Sequence, residues 1–335
     1  MTGISRRGMI EAGGGALAAG AVLAATLAGD SKPPAANSLA GKSMLVTGCS
    51  SGFGMLGAQL YARLGAKVFA TKRNLPRPEG EALVRLAKDE KLDLTVLELD
   101  VLSDDMVTSA IAEAERLAGG PLDILVNNAG ISIGGSVELQ DIAATRLMFE
   151  TNVYGYLRAI RVVLPGMRSR KSGLIVNVSS NRGRIVVPDL GLYSATKFAV
   201  ESMCEQLAYE LVPFGIEVVI VEPGGFPTGI GQHSAALSQA LADRLEDRHA
   251  SGYPALVRQM QSPPAGGAAP NLPDPMMVPQ AIAEIAAMPA GQRQLRHAVH
   301  PSPQPQLQIN QVSREAQIRW LSKLTYGEAA LAVYD

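Results

Sequence analysis

A chain of 335 residues with 47% hydrophobic content is long enough to bury one large core. A net charge of −1 argues against a nucleic-acid binder, which carries a basic excess or stripe. Two cysteines exclude a disulfide framework. Cys49 falls in a glycine-rich turn and Cys204 in a predicted helix, so two separate thiols are expected.

Residues 1–30 differ from the rest. Ser5-Arg6-Arg7 precedes an Ala/Gly/Leu-rich run from Ala12 to Ala28, with Thr26 and Ala28 near a possible cut site. This reads as a secretory signal, and the paired arginines suggest the twin-arginine export machinery and a periplasmic location. Met9 and Glu11 depart from that motif, and the alternative is a cytoplasmic or membrane-tethering extension. Exchange of Arg6 and Arg7 for lysine should abolish export of a reporter fused to residues 1–40. Residues 31–40 read as a linker and 41–335 as a single domain.

From residue 42 onward, short apolar strands near 43–47, 67–71, 94–99, 123–127, 173–179 and 216–222 alternate with helices near 55–64, 79–90, 103–117, 141–168 and 193–212. Nearly continuous apolar strands between amphipathic helices predict an α/β fold, a doubly wound parallel sheet covered on both faces. Right-handed crossovers then put a ligand at the carboxyl ends of the strands. Thr47-Gly48, Asn127, Ser180 and Pro223 all follow strand ends, so they share that edge. The tail is less regular: 261–275 reads as an exposed connection, 279–288 as a short helix, 294–299 as a last strand and 313–326 as a final helix. No metal site is expected, since His297-x-x-His300, beside Pro301, reads as a surface segment.

Two stretches carry chemistry. In Thr47-Gly48-Cys49-Ser50-Ser51-Gly52-Phe53-Gly54 the glycines remove Cβ atoms where backbone turns toward a pyrophosphate, and the helix start offers N–H groups to it. Tyr193-Ser194-Ala195-Thr196-Lys197 sets a phenol and an ammonium one helical turn apart on one face. A phenol of pKa ~10 is a poor acid or base near neutrality, and a nearby cation lowers that value. Ser180 and Asn152 are a candidate hydroxyl and a candidate relay amide. Each also has a structural reading: Asn152 as a helix cap or interruption, Ser180 as a strand-end turn residue, Lys197 as solvated.

Taken in order and spacing, 47–54, Asp100, Asn127-Asn128-Ala129-Gly130, Asn152, Ser180, Tyr193-x-x-x-Lys197 and Pro223-Gly224 resemble the short-chain dehydrogenase/reductase family. The resemblance implies a Rossmann-type domain and hydride exchange between nicotinamide and a carbinol or carbonyl carbon. It gives Tyr193 the proton transfer, Lys197 the lowering of the tyrosine pKa and a bond to the cofactor ribose, and Ser180 the substrate oxygen. Ser180 is chosen over Ser179 on family spacing and because alternate strand residues face opposite sides. Asn152 would bind a water that links Lys197 to solvent. Cofactor contacts are implied for Gly48, Ser50, Ser51, Gly52, Phe53, Gly54, Asn128, Ala129 and Gly130. Asp100 would contact adenine, with a cap on the helix from Ser103 as its competitor. Pro223, Gly224 and Thr228 would hold the carboxamide, with Pro227 a departure from the family. The asparagine amides would also tie adjacent strand ends, and a segment at about 226–290 would cover the substrate. The family commonly forms homodimers or homotetramers through the helices at 141–168 and 193–212; Leu147, Val153, Leu157 and Ile160 give the first an apolar face. A single monomeric species in light scattering would contradict that.

Lys72 and Arg73 follow the second strand, and no acid occupies 70–75. An NAD-selective site places a carboxylate there, whereas a guanidinium grips a 2′-phosphate, so NADP(H) is expected over NAD(H). The expected function is an NADP(H)-dependent dehydrogenase or reductase of a small-molecule secondary alcohol or ketone, similar to members acting on steroids, retinoids and other bulky carbonyl compounds. Ile131, Ile133, Ile185, Val186, Val187, Leu190 and Leu192 either line an apolar pocket or belong to the core. The alternative is a non-catalytic NADP-binding regulatory or scaffold protein; a nucleotide-sugar epimerase is weaker, since nothing singles out a sugar-nucleotide site.

Overall fold

The computed structural model describes residues 35–76, 78–262, 272–302, 304–325 and 327–334; the expected signal lies outside the described residues. Seven strands form one parallel sheet: β1 (Ser43–Val46), β2 (Lys67–Lys72), β3 (Leu94–Glu98), β4 (Ile124–Asn127), β5 (Gly173–Val178), β6 (Ile216–Pro223) and β7 (Arg296–Val299). Their order is β3-β2-β1-β4-β5-β6-β7, so the chain winds outward from β1 and then reverses to β4. The reversal opens a crevice between β1 and β4, where such sheets bind ligands.

Both faces of each inner strand are apolar, which is why the strands read as continuous hydrophobic runs. Met44, Val46, Ile124 and Val126 pack with Ala58 and Tyr61 of α1 (Gly52–Arg63) and with Ile282 and Ile285 of α10 (Met277–Ala287). Leu45, Leu125 and Ile175 meet Ile111 of α3 (Asp104–Ala118), Tyr156 and Ile160 of α5 (Gly155–Arg170) and Cys204 of α6 (Gly191–Leu211). α2 (Pro78–Glu90) joins the first face through Leu83. Both cysteines are buried free thiols.

The single helix expected at 141–168 is broken. α4 (Ile142–Phe149) passes through a π-turn, Glu150–Tyr154, into α5. Thr151 Oγ1 donates back to the Leu147 carbonyl at 2.8 Å, and the Asn152 side chain is drawn onto the backbone of Ile131. A side chain that competes for backbone partners in this way is a recognised cause of helix distortion. Of the apolar face expected for pairing, Val153 and Ile160 are buried in the core, while Leu157 is exposed.

The tail is more ordered than its sequence suggested. α7 (Ile230–Ala242), α8 (Asp247–Ala250) and α9 (Pro254–Gln261) fill a stretch in which no helix was expected. α7 buries only Ser238, Leu241 and Ala242, so its apolar stripe is too thin for periodicity to reveal. These helices and the 131–140 loop enclose a small third cluster, including Ile133, Leu139, Met148, Leu241 and Met260. The final helix, α11 (Gln306–Leu321), starts seven residues before the expected 313 and is followed by α12 (Gly327–Leu331). β7 is locked to α6, and α11 to β6, by a buried polar network. Arg296 donates to Glu201 at 2.8 Å and Glu205 at 2.6 Å, and Asn310 donates to both oxygens of Glu222.

His297 corrects the surface reading of the histidine pair. It is buried on β7 with Nε2 at 3.0 Å from the Gln294 carbonyl, and burial lowers its pKa to about 4. Among the described residues no group of three metal-ligating side chains converges, and no helix is long and apolar enough to cross a membrane.

Candidate active site

The strand ends surround a cavity of about 580 Å³ running from the glycine turn to the start of α6. Of the residues expected to contact cofactor or substrate, Gly48, Ser50, Ser51, Gly52, Phe53, Lys72, Arg73, Asp100, Asn128, Ala129, Gly130, Ser180, Tyr193, Lys197, Pro223, Gly224 and Thr228 line it. Gly54 and Asn152 do not.

Those two act behind the lining. A Cβ on Gly54 would collide with the Gly48 carbonyl oxygen and the Asn128 amide, so glycine is needed here for helix–turn packing. Gly48 has φ of +74°, and its Cβ would come within 2.8 Å of the Ala129 Cα. These two glycines bring the β1 turn against the end of β4, and Ser50, Ser51, Gly52 and Phe53 face the cavity beside Gly48. α1 begins there with no side-chain cap on its first N–H groups, so its positive end opens toward the lining.

Thr47 is the residue that sequence reading passed over within its own motif. Its Oγ1 accepts the backbone N–H groups of Asn128 at 2.9 Å and Ala129 at 3.0 Å. Asn128 Nδ2 donates in return to the Thr47 carbonyl at 2.8 Å. One strand further, Asn127 Nδ2 donates to Asn177 Oδ1 at 3.0 Å, so asparagine amides do tie adjacent strand ends. Asp100 makes a tight turn by accepting Leu102 N–H at 3.0 Å, while the α3 cap is Ser103, which accepts Met106 N–H.

Asn152 is wholly committed to structure through its side chain. Oδ1 accepts Ile131 N–H at 2.8 Å, and Nδ2 donates to the Ile131 carbonyl at 2.9 Å and to Thr196 Oγ1 at 3.0 Å. Thr196 Oγ1 in turn donates to the Tyr193 carbonyl at 2.7 Å. The amide thus clamps the 130–132 loop to the first turn of α6, the turn that presents the phenol.

Lys197 is buried, and its Nζ donates to the Val178 carbonyl at 2.9 Å. Burial lowers its pKa to about 8. The ammonium lies 5.9 Å from the centre of the Tyr193 ring. Burial raises the Tyr193 pKa, and what opposes it is a hydrogen bond from Ser180 and the charge of Arg182. Ser180 Oγ also accepts Arg182 N–H at 3.1 Å, whereas Ser179 Oγ is buried with no hydrogen-bond partner. The extended backbone of β5 thus directs the second serine, not the first, at the phenol.

The apolar candidates divide. Ile131 and Leu190 line the cavity with Ile230 and Leu237 of α7; Ile133 lies in the third cluster, and Val186 is 68% exposed. Beyond Phe53, an edge-to-face aromatic pair with Phe226 (5.5 Å between ring centres) continues to His300 (5.2 Å). His300 Nδ1 accepts Ser302 N–H, which leaves Nε2 to donate to the Gly225 carbonyl at 3.1 Å and hold the loop after β6.

A profile of the short chain dehydrogenase family matches residues 42–238. The chain is 38% identical over 188 residues to a 3-ketodihydrosphingosine reductase of Bacteroides thetaiotaomicron, covering 56% of this chain and 64% of that one. It is 40% identical over 188 residues to retinol dehydrogenase 8 of Bos taurus, covering 55% and 58%. Each match spans less than two thirds of the relative's length. The crystal structure of a short chain dehydrogenase/reductase from Burkholderia phymatum in complex with NAD superposes with a TM-score of 0.66 at 25% identity, covering 84% of this chain and 96% of that one. With a matching profile over more than half of its length and a sheet edge that gathers the glycine turn, the asparagine tie and the serine, tyrosine and lysine, the chain belongs to the short-chain dehydrogenase family.

Proposed function

We propose that this protein is an NADP(H)-dependent oxidoreductase that interconverts a secondary alcohol and a ketone on an apolar body. The observation that carries the reading is the meeting of Ser180, Tyr193 and Lys197 on the wall of the cavity that also contains the glycine turn. The residues fit a dinucleotide: an uncapped helix start and backbone N–H groups suit its pyrophosphate, and the buried Lys72 with Arg73 suits a ribose phosphate. The nicotinamide, when bound, supplies or accepts the hydride. Tyr193 Oη gives its proton to the substrate oxygen in reduction and takes it back in oxidation. Ser180 Oγ steadies that oxygen as its charge grows. Lys197, held by the Val178 carbonyl, fixes a positive charge beside the phenol and shortens the path of proton recovery.

Tyr193→Phe is expected to lower kcat/KM by about three orders of magnitude while cofactor affinity stays near its original value. Unchanged turnover of ketones or alcohols in that variant would refute the mechanism. NAD is bound by the Burkholderia phymatum relative, so the fold accepts it; the preference for NADP(H) rests on Lys72 and Arg73 and the lack of a carboxylate beside them. We expect a tenfold to hundredfold tighter Kd for NADPH than for NADH, of the order of one charge-assisted contact. Equal values would overturn that preference.

A further inference from the structure

Two arginines follow Ser180, and they have different fates. Arg184 donates to Ser313 Oγ at 2.5 Å and is drawn into the network with the C-terminal helix. Arg182 lines the cavity, half-buried, and among the described residues its guanidinium has neither a carboxylate partner nor a hydrogen-bond acceptor. Its backbone N–H is tied to Ser180 Oγ at 3.1 Å, so the side chain starts next to the residue that meets Tyr193. The charge balance around it is one-sided. Arg73, Arg182 and Lys197 lie on the lining, and among the described residues Asp100 is its sole carboxylate. Asp100 stands with Leu99, Val101 and Leu102 at the end of β3, the far edge of the sheet from β5. An arginine kept without a counter-ion on a half-buried wall is a ready partner for a planar anion.

We infer that Arg182 is a specificity-determining residue that grips a carboxylate of the substrate, within one or two carbons of the reacting centre, so that the substrate is a hydroxy or oxo acid with an apolar chain. The inference rests on the oxidoreductase reading above and narrows its substrate class. Leu190, Ile131, Ile230 and Leu237 accept the chain, and Ser180 and Tyr193 hold the oxygen. The phenol benefits as well, since the guanidinium charge opposes the rise in the Tyr193 pKa caused by burial.

The test compares racemic 3-hydroxyoctanoate with its methyl ester, which lacks the charge that Arg182 would read. Calorimetric titration of each into the NADPH-saturated protein, where the hydroxyl compound finds no hydride acceptor, reads affinity without turnover. The acid is expected to bind tenfold to a hundredfold more tightly than the ester. In Arg182→Gln that ratio should fall to near one, and Arg182→Lys should retain part of it. If Arg182 acted only on the tyrosine, turnover of acid and ester would drop equally and the affinity ratio would stand. A ratio near one in the unmodified protein, a ratio retained in Arg182→Gln, or no measurable binding of the acid overturns the inference. Failure of the oxidoreductase reading shows separately, as no reduced nicotinamide formed from either compound or from a wider panel of alcohols.

Discussion

The floor and the cover of the cavity are built on different principles. On the floor, buried polar groups answer one another: Thr47 with Asn128 and Ala129, Asn127 with Asn177, Asn152 with Ile131 and Thr196, Lys197 with Val178. In the cover, α7–α9 shares a small apolar cluster with the 131–141 loop, and its polar contacts to that loop lie mainly on the surface. Arg244 pairs with Asp141 at 2.7 Å, and His249 and Tyr253 reach Glu138. Ser238 Oγ accepting Gly134 N–H at 2.8 Å is the partly buried exception. Buried hydrogen-bonded networks hold geometry closely, whereas exposed ion pairs contribute little and re-form easily. The chemistry therefore sits on a fixed platform, and the part that meets the substrate's body is free to vary.

The largest expected effect is on the platform. Gly54→Ala should cost about 2–3 kcal/mol, since the new Cβ meets the Gly48 carbonyl and the Asn128 amide and neither can retreat without loosening β1 from β4. A urea melt with an unchanged midpoint would show that the platform is less rigid than its bonds imply.

Lys197→Met should abolish turnover yet stabilise the ligand-free protein near neutrality. The folded pKa of about 8 lies below the ordinary 10.5. Below pH 8 the folded state therefore carries the full cost of a buried ammonium, and stability rises with pH between about 8 and 10.5 as the unfolded chain alone keeps that proton. The variant should gain about 2 kcal/mol at pH 7, after the loss of the Val178 hydrogen bond, and the gain should vanish above pH 10.5. Melting curves at the two pH values decide it; a destabilised variant at pH 7 would mean the ammonium is well compensated.

The asymmetry between strands and tail explains how far the sequence could be read. Strand ends are legible because Val46, Val126 and Val178 end apolar runs and are followed by small or polar residues, and because Tyr193 and Lys197 are local in sequence. Asn152 was legible as a residue but not in its job. Glu150–Tyr154 contains neither proline nor glycine, and the π-turn arises from partners at Ile131 and Thr196, 21 and 44 residues away. Arg182 was missed because nothing local separates it from Arg184; only the position of Ser313, 129 residues beyond Arg184, does so.

The smallest effect is expected on the cover. Arg244→Ala removes an exposed pair with Asp141, whose capping bond to Ala144 N–H at 2.6 Å is untouched. Stability should change by no more than about 0.5 kcal/mol, and KM should rise a few-fold with kcat unchanged. A fall in kcat of tenfold or more would erase the distinction between cover and platform.

The ring of carboxylates around Arg296 has a consequence for how the molecule is made. Glu201 and Glu205 leave the ribosome 95 and 91 residues ahead of the arginine that neutralises them, and Glu222 precedes its Asn310 partner by 88. Until the last strand emerges, the helix bearing Tyr193 has two acids on the side where β7 will lie, and burying unpaired acids costs several kcal/mol. Docking of this helix against the sheet edge is therefore expected to wait for β7, and a fragment ending before Arg296 leaves Glu201 and Glu205 without their cation.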